Sequence, residues 1–496
     1  MLQRSRWLDR ASLELAVGDL ASSQKKAGTL SLLAIMTAVL VMYQLLMAAM
    51  NDDAPSNVWA MLSFVGFVAY LYQLAASAPA TVIVLLPLLL LKTTEIGSCV
   101  AIESGALMHE IDQTGYPTGG TARLAIALMV FFGIGALLIE PAWLKQSAES
   151  DRDRIDRAVG RMVWPITFAC LFFYGYFIFV GLRVGFPILS GSDRLDFKYQ
   201  LSDPIYTSLL GNRPLFVTAM SLLAISTKTQ IRAWVLFLGM FFVSILFGEK
   251  FTSLIVMSSI FPAAGLLVYL SRHKQLPIAR MAYVGVALGA LTIGTCLNVY
   301  LYIYNDFETA KTKLLDRMAE QGEMWYVGDR DFRYNTNVDW QTITTDLISC
   351  VGGSSQDPKD VGTDFGPFFV MQNYADKYVM ENGQNKGIFF AFTFSTYWMM
   401  ISGYGGFAIV WVLTAVAYGV AGRFLMLGLA EGNFIGALLG QKSMFLVYTA
   451  VITGYSFYVF GYKTVGIFFA AWLANYWKKL LRFVAYRGRN TVNVPV

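Results

Sequence analysis

Residues 305–326 read NDFETAKTKLLDRMAEQGEMWY and open the one extended polar insertion, Asn305–Lys386, in a chain that otherwise consists of long apolar runs. The pattern predicts a short helix that ends near Gly322. Side chains four positions apart lie on one face of a helix, so the stretch carries a cationic stripe with an amide at its end. The stripe consists of Lys313, Arg317 and Gln321.

Two interpretations of this stripe are open. Trp325 and Tyr326 follow it directly, and we expect both side chains to be exposed. A guanidinium pairs with phosphate oxygens, and aromatic faces cover apolar ring surfaces, so the combination suits a ligand with a phosphate at one end and sugars at the other. The alternative is a solvated amphipathic helix without a ligand. The stripe alone does not decide between them.

The composition predicts an integral membrane protein. Of the 496 residues, 56% are hydrophobic and only 14% are charged, which excludes an ordinary water-soluble domain. Two His and four Cys without a CxxC pair exclude a His-rich metal site and give no zinc or redox motif. We therefore expect no metal and no cofactor. The net charge of +5 comes from basic residues at the ends of apolar runs, which indicates orientation and not nucleic-acid binding.

The apolar runs divide the chain into about twelve membrane spans, at about 20 residues each. The expected parts are a cytoplasmic N-terminal segment (1–27), a bundle of about nine spans (28–304), a large outer loop (305–387), C-terminal spans (388–482) and a cytoplasmic tail (483–496). The stretch Lys145–Arg161, with four arginines, is the clearest inner loop and sets the orientation of the rest. Both termini are expected in the cytoplasm.

The individual spans follow from the same runs. We predict spans at Gly28–Met50, Val58–Ala76, Ala80–Leu91, Leu124–Ile139, Met162–Val184, Tyr206–Ser226, Ala233–Phe247, Phe251–Leu270, Met281–Tyr304, Phe407–Val420, Met444–Phe460 and Thr464–Trp477. Between the outer loop and the late spans, Gly387–Ile401 fits a short or re-entrant helix. No internal repeat is detectable.

Several cations lie on the outer side of this topology, against the usual bias towards the inside. They are Arg194, Arg213, Lys250, Arg317, Arg330 and Arg333. Lys250 stands at the tip of a two-span hairpin, where a charge is costly unless an anion meets it. That anion is either the neighbouring Glu249 or a ligand. Arg213 fits a helix-end residue that extends to the membrane surface as well as it fits a ligand contact.

The run Asp316–Tyr326 resembles the Arg-x-x-x-Gln-Gly-x-x-Trp stretch of bacterial oligosaccharide repeat-unit polymerases, the Wzy type that builds O-antigen, capsule and exopolysaccharide. Arg194, after Gly185-x-Pro187, is similar to a loop of the same family, and Gly248-Glu-Lys250 matches a family turn loosely. The resemblance implies a GT-C-like helical bundle in the inner membrane, with a large periplasmic loop between two late spans.

The resemblance also implies a reaction. Such enzymes transfer a growing glycan from undecaprenyl pyrophosphate onto a lipid-linked repeat unit, with inversion, without a metal, and alongside a flippase and a chain-length regulator. The substrate-binding residues expected from the loop and hairpin are Arg194, Arg213, Lys250, Lys313, Arg317, Gln321, Trp325, Tyr326, Arg330 and Arg333. A carboxylate or His must take the proton of the attacking hydroxyl. Glu323 and Glu381 are the candidates for this base. Four other residues are also chemically able to accept the proton, namely His109, Asp316, Glu320 and Asp376.

Three other classes remain open. An O-antigen ligase usually carries a His in its large outer loop, and Asn305–Lys386 contains none, which favours a polymerase. A lipid-linked oligosaccharide flippase or other transporter should show internal pseudo-symmetry and short loops, and neither is apparent. A membrane O-acyltransferase generally depends on a membrane-embedded His, whereas both His of this chain lie in predicted loops.

Overall fold

The computed structural model describes residues 56–148, 152–190, 203–249, 251–273, 304–352, 364–386 and 389–490, with isolated positions between 38 and 49, at 197 and 201, and between 290 and 301. Within these residues, seven helices are long and apolar enough to cross a membrane. They are Asn57–Ser77, Pro79–Glu103, Gly120–Gln146, Ile155–Val184, Ser253–His273, Thr393–Glu431 and Phe434–Thr453. The chain is therefore an all-α polytopic membrane protein.

The described elements are numbered here in chain order. The helices are α1 Asn57–Ser77, α2 Pro79–Glu103, α3 Gly120–Ala148, α4 Arg152–Val184, α5 Pro187–Ser190, α6 Pro204–Gly211, α7 Arg213–Leu223, α8 Gln230–Leu246, α9 Phe251–Ile260, α10 Ala263–His273, α11 Phe307–Phe332, α12 Trp340–Gly352, α13 Pro367–Tyr374, α14 Lys377–Lys386, α15 Thr393–Glu431, α16 Phe434–Thr453, α17 Phe457–Phe460 and α18 Tyr462–Asn490. One antiparallel ribbon pairs β1 Leu107–Met108 with β2 Gln113–Thr114.

The centre of the bundle is α15, which packs along α16 and α3. Glycines permit the close approach of α15 and α16, because a Cβ at Gly428 or Gly440 would overlap backbone atoms of Ala437 or Leu425. Such small-residue contacts replace the hydrophobic driving force that helices lack within lipid. The helix α15 bends at Gly403, whose φ of 66° and ψ of −179° are not helical.

The first four described spans confirm the predicted runs and lengthen them. The predicted Ala80–Leu91 continues in α2 as far as Glu103. This extension carries Lys92 and Glu95 into the interior, where Nζ lies 2.5 Å from Oε2 and both side chains are almost wholly buried. An ion pair within one helix turn lets both charges stay inside the bundle.

Phe251–Leu270 is confirmed as the candidate span Ser253–His273, with its helix interrupted at residues 261–262, where a proline removes a helix hydrogen bond. Thr464–Trp477 lies within α18. Other predictions need correction. Tyr206–Ser226 is two helices, α6 and α7, and Met444–Phe460 is shifted, since α16 occupies Phe434–Thr453. The stretch after residue 387 and the next span are one helix, α15, bent at Gly403. Gly28–Met50 and Met281–Tyr304 fall mostly outside the described residues.

The described part of the polar insertion contains four helices, α11 to α14. Asp306 caps the start of α11, with its side chain accepting a hydrogen bond from Thr309 N at 2.7 Å. The prediction that this helix ends near Gly322 was wrong, because it continues to Phe332. Gly322 is a packing residue instead: a Cβ there would lie 2.8 Å from Cys99 N on α2.

Candidate functional site

The second half of α11 is held against α2 and α15 by polar contacts to its backbone. The Ser98 hydroxyl on α2 donates to Ala319 O at 2.5 Å and accepts from Gly322 N at 2.9 Å. On the other side, the Thr396 hydroxyl of α15 donates to Met324 O. These contacts enclose one face of α11, so polar residues on that face lie in a partly dry environment.

Glu323 is the carboxylate that this enclosure affects most. Its side chain is fully buried; Oε2 accepts a hydrogen bond from Glu110 N at 3.3 Å, and Oε1 has no hydrogen-bond partner among the described residues. Burial raises the pKa of Glu323 to about 7, and the negative charge of Glu320 acts in the same direction. A carboxyl group with this pKa can accept and release a proton near neutral pH.

The ribbon delivers a histidine to the same face of α11. The β1–β2 hairpin turns at residues 109–112 and places His109 Nε2 2.7 Å from Asp316 Oδ2. Lys313 Nζ lies 3.5 Å from the same oxygen. Asp316, Glu320 and Glu323 are spaced four and three residues apart on α11, so they share one side of the helix. This group of side chains, together with His109 and Glu110, is called the acidic cluster below.

The cationic stripe is only partly described. Lys313 is 43% exposed and Gln321 is half-buried, next to the acidic cluster. Arg317 lies between them on α11, with its side chain outside the described part of the chain. Arg194 and Lys250 also fall outside the described residues. Their predicted ligand contacts therefore stay predictions.

The prediction of exposed aromatics after the stripe was wrong. Trp325 and Tyr326 are both buried, because α11 continues past Gly322 and turns them towards the bundle. The Trp325 indole donates to Gly120 O at 3.0 Å, and the Tyr326 hydroxyl donates to Tyr116 O at 2.8 Å while accepting from Tyr116 N. Both side chains anchor the loop before α3 to α11.

The arginines at the end of α11 join the same anchoring contacts. The Arg330 Nε lies 2.6 Å from Asp331, and its Nη1 donates to Gln113 Oε1 at 2.8 Å. Arg333 Nη1 donates to Thr118 O at 3.0 Å. None of these three contacts was expected from the sequence, and all of them use guanidinium groups that were predicted to meet a ligand.

A buried ion pair that was not predicted from the sequence lies beside them. Arg123 on α3 binds Asp329 through two hydrogen bonds, Nε to Oδ1 at 2.7 Å and Nη2 to Oδ2 at 2.8 Å. The Asp329 side chain is fully buried and that of Arg123 is 12% exposed. A two-point pair of this kind fixes orientation as well as distance, so it locks α11 to α3.

Two further residues that were predicted to belong to the site make their contacts away from the acidic cluster. Arg213 Nη2 forms a buried ion pair with Glu249 Oε1 at 2.9 Å, and its Nη1 donates to Ser244 at 3.3 Å. Glu249, one of the two partners considered for Lys250, is thus engaged by Arg213. Glu381 has a 62% exposed side chain and lies 3.9 Å from Lys377 on α14. Of the two named carboxylates, only Glu323 is buried.

Comparison of the chain with protein-family models, with curated proteins and with solved structures gives no match. Across the described residues, no three His, Cys, Asp or Glu side chains are placed to hold one metal ion. Cys99, Cys170 and Cys350 are free and buried. The acidic cluster combines a carboxyl group whose pKa is raised to about 7 with a histidine, and this combination is suited to acid–base chemistry.

Proposed function

We propose that the chain is a polysaccharide polymerase of the bacterial inner membrane, with about twelve spans, a GT-C-like bundle and both termini in the cytoplasm. It would transfer a growing glycan from undecaprenyl pyrophosphate onto a lipid-linked repeat unit at the periplasmic face. The observation that supports this most is Glu323, a buried carboxyl group with a pKa raised to about 7. It follows the Arg-x-x-x-Gln-Gly motif on the same helix, six residues after Arg317.

The chemistry assigns one task to each part of α11. Glu323 takes the proton of the attacking sugar hydroxyl, whose oxygen forms a bond to the anomeric carbon of the donor. The bond from that carbon to the pyrophosphate oxygen breaks, and the configuration inverts. Arg317 and Lys313 meet the negative charge of the departing pyrophosphate. Arg194 and Lys250 are proposed as additional pyrophosphate contacts.

Transfer to a different acceptor by a ligase is the second candidate, and one contact favours it. The polymerase was preferred because the insertion between residues 305 and 386 contains no His. His109, however, reaches α11 from the β1–β2 hairpin and lies 2.7 Å from Asp316. A histidine therefore lies beside the insertion although the insertion's own sequence has none. The products distinguish the candidates, because a polymerase elongates glycan on undecaprenyl pyrophosphate and a ligase removes glycan from it.

The test is polymer formation in cells that depend on this chain for it. We expect Glu323→Gln, Arg317→Ala and Arg317→Lys each to abolish polymer and leave single repeat units on the lipid, because Gln cannot take a proton and Lys lacks the two-point geometry for phosphate. Glu381→Gln, at an exposed acid, is the matched control and should preserve polymer. Full-length polymer from Glu323→Gln would remove this carboxylate from the mechanism.

Lys250 needs a separate variant. Changing Glu249 together with Lys250 would also leave Arg213 with a buried, unpaired charge, so loss of activity would have two explanations. Lys250→Gln alone should abolish polymer while the protein accumulates normally. Lys250→Arg should retain part of the activity, since the positive charge survives. Wild-type polymer from Lys250→Gln would place the hairpin tip outside the site.

A further inference from the structure

The helix α12 has three distinct faces. Ile343, Asp346 and Cys350 point into the protein and are buried. A second face is exposed and mostly apolar: Trp340 (70% exposed), Leu347 (41%), Ile348 (65%) and Val351 (74%) surround one threonine, Thr344. Gln341 lies at the edge of this face, seven residues before Ile348. A third face is polar and carries Thr342 and Thr345. A helix in water would not present a broad apolar face beside a polar one unless something apolar covered it.

The inner face fixes where α12 lies along the bundle. The Tyr397 hydroxyl of α15 donates to Asp346 Oδ2 at 3.0 Å, and Cys350 packs with Tyr455 and Phe457. Those two aromatics stand two and four residues after Thr453, the last residue of α16. The 20 residues of α16 correspond to about 30 Å, the thickness of the hydrocarbon core of a bilayer. The C-terminal half of α12 therefore lies level with one end of a membrane span.

The surface beside α12 at this level is also apolar. The short helix α17 packs against both α12 and α18. The first turns of α18 expose Tyr462 (54%), Val465 (61%) and Phe469 (62%). The apolar face of α12 is thus continued by residues at the start of the last helix. Trp340, at the other end of α12, is a residue type that concentrates where hydrocarbon meets headgroups.

We infer that α12 is an interfacial membrane helix. Its apolar face, Trp340, Leu347, Ile348 and Val351, lies in the boundary between lipid headgroups and acyl chains, and Thr342 and Thr345 face water. The partner of this surface is lipid and not a protein. The inference does not depend on the proposed enzymatic activity, because it rests on the exposed face and on its level in the bundle.

The test measures the surroundings of single positions in the full-length protein reconstituted in lipid nanodiscs. A nitroxide is attached to Ile348→Cys and, as the matched control one turn away on the polar face, to Thr345→Cys. Val351→Cys and Thr342→Cys, on opposite sides of the helix, form a second pair. Wild-type protein taken through the same labelling gives the background, since the three described cysteines are buried. The readout is relaxation by oxygen, which concentrates in lipid, against a water-soluble nickel chelate.

We expect the ratio of oxygen to nickel accessibility to be several-fold higher at 348 than at 345, and higher at 351 than at 342. Equal ratios that favour nickel at all four positions would place the apolar face in water and overturn the inference. Low accessibility to both reagents at 348 and 351 would show that protein covers the face, such as a second copy of the chain, and would overturn it equally.

Discussion

The raised pKa of Glu323 predicts how the stability of the protein depends on pH. A carboxyl group whose pKa is raised in the folded state binds its proton more tightly there than in the unfolded chain. Its contribution to stability is complete below the ordinary value of 4.5 and is lost as the pH rises through about 7. The interval between these two values corresponds to about 3 kcal/mol, as an order of magnitude.

Glu323→Gln should remove this dependence, because the amide is neutral at every pH. At pH 5 the variant and the wild type should have similar free energies of unfolding, since Glu323 is still mostly protonated in the folded protein. At pH 8 the variant should be more stable by about 2 to 3 kcal/mol, since it keeps no buried negative charge at this position. The gain should appear between pH 5 and pH 7.

The assay is denaturant unfolding of the purified protein in detergent, followed by tryptophan fluorescence at pH 5, 6, 7 and 8. Other buried acids, such as Asp346 with a pKa raised to about 6, titrate in both proteins, so the difference between the curves isolates Glu323. Glu381→Gln changes an exposed carboxylate and should follow the wild type throughout. Parallel curves for Glu323→Gln and wild type would refute the raised pKa, and with it the argument for Glu323 as the base.

Two further predictions concern stability. Asp329→Asn should lower the free energy of unfolding by about 3 to 5 kcal/mol, because the arginine paired with it would keep an uncompensated buried charge. Asp331→Asn, in a more exposed pair, should lower it by about 1 kcal/mol or less. Gly403→Ala should lower the unfolding temperature, since φ is 66° and a Cβ would overlap the Asn335 carbonyl oxygen. At Gly405 a Cβ would meet no atom within 4 Å, so Gly405→Ala should leave the unfolding temperature unchanged. Thermal unfolding checks both pairs, and equal losses within a pair would contradict the reasoning.

The class of the protein could be predicted from the sequence because membrane insertion depends on local properties. A run of about 20 apolar residues is long enough to span a bilayer whatever its neighbours are. The runs at Val58–Ala76 and Met162–Val184 therefore became α1 and part of α4. The ends of the helices were harder to predict where a helix is broken or extended. Neither the break at residues 261–262 nor the continuation of α11 past Gly322 changes the average hydropathy of its stretch.

Only part of the candidate site could be predicted from the sequence. Glu323 could be named because it follows a recognisable motif, but a motif gives no information on burial, and so none on pKa. The residues around it come from distant parts of the chain: His109 and Glu110 stand more than 200 positions before the residues that they contact. Sequence alone gave no reason to bring the β1–β2 hairpin to α11.

The sequence by itself determined which stretches are apolar, where the charges stand and which residues share a helix face, since these depend on order and spacing alone. Only the tertiary structure decided which face of α11 is enclosed. That packing buried Trp325 and Tyr326 and raised the pKa of Glu323. The physical reason is that burial and desolvation are set by the surfaces that pack together, and those surfaces belong to segments far apart in the chain.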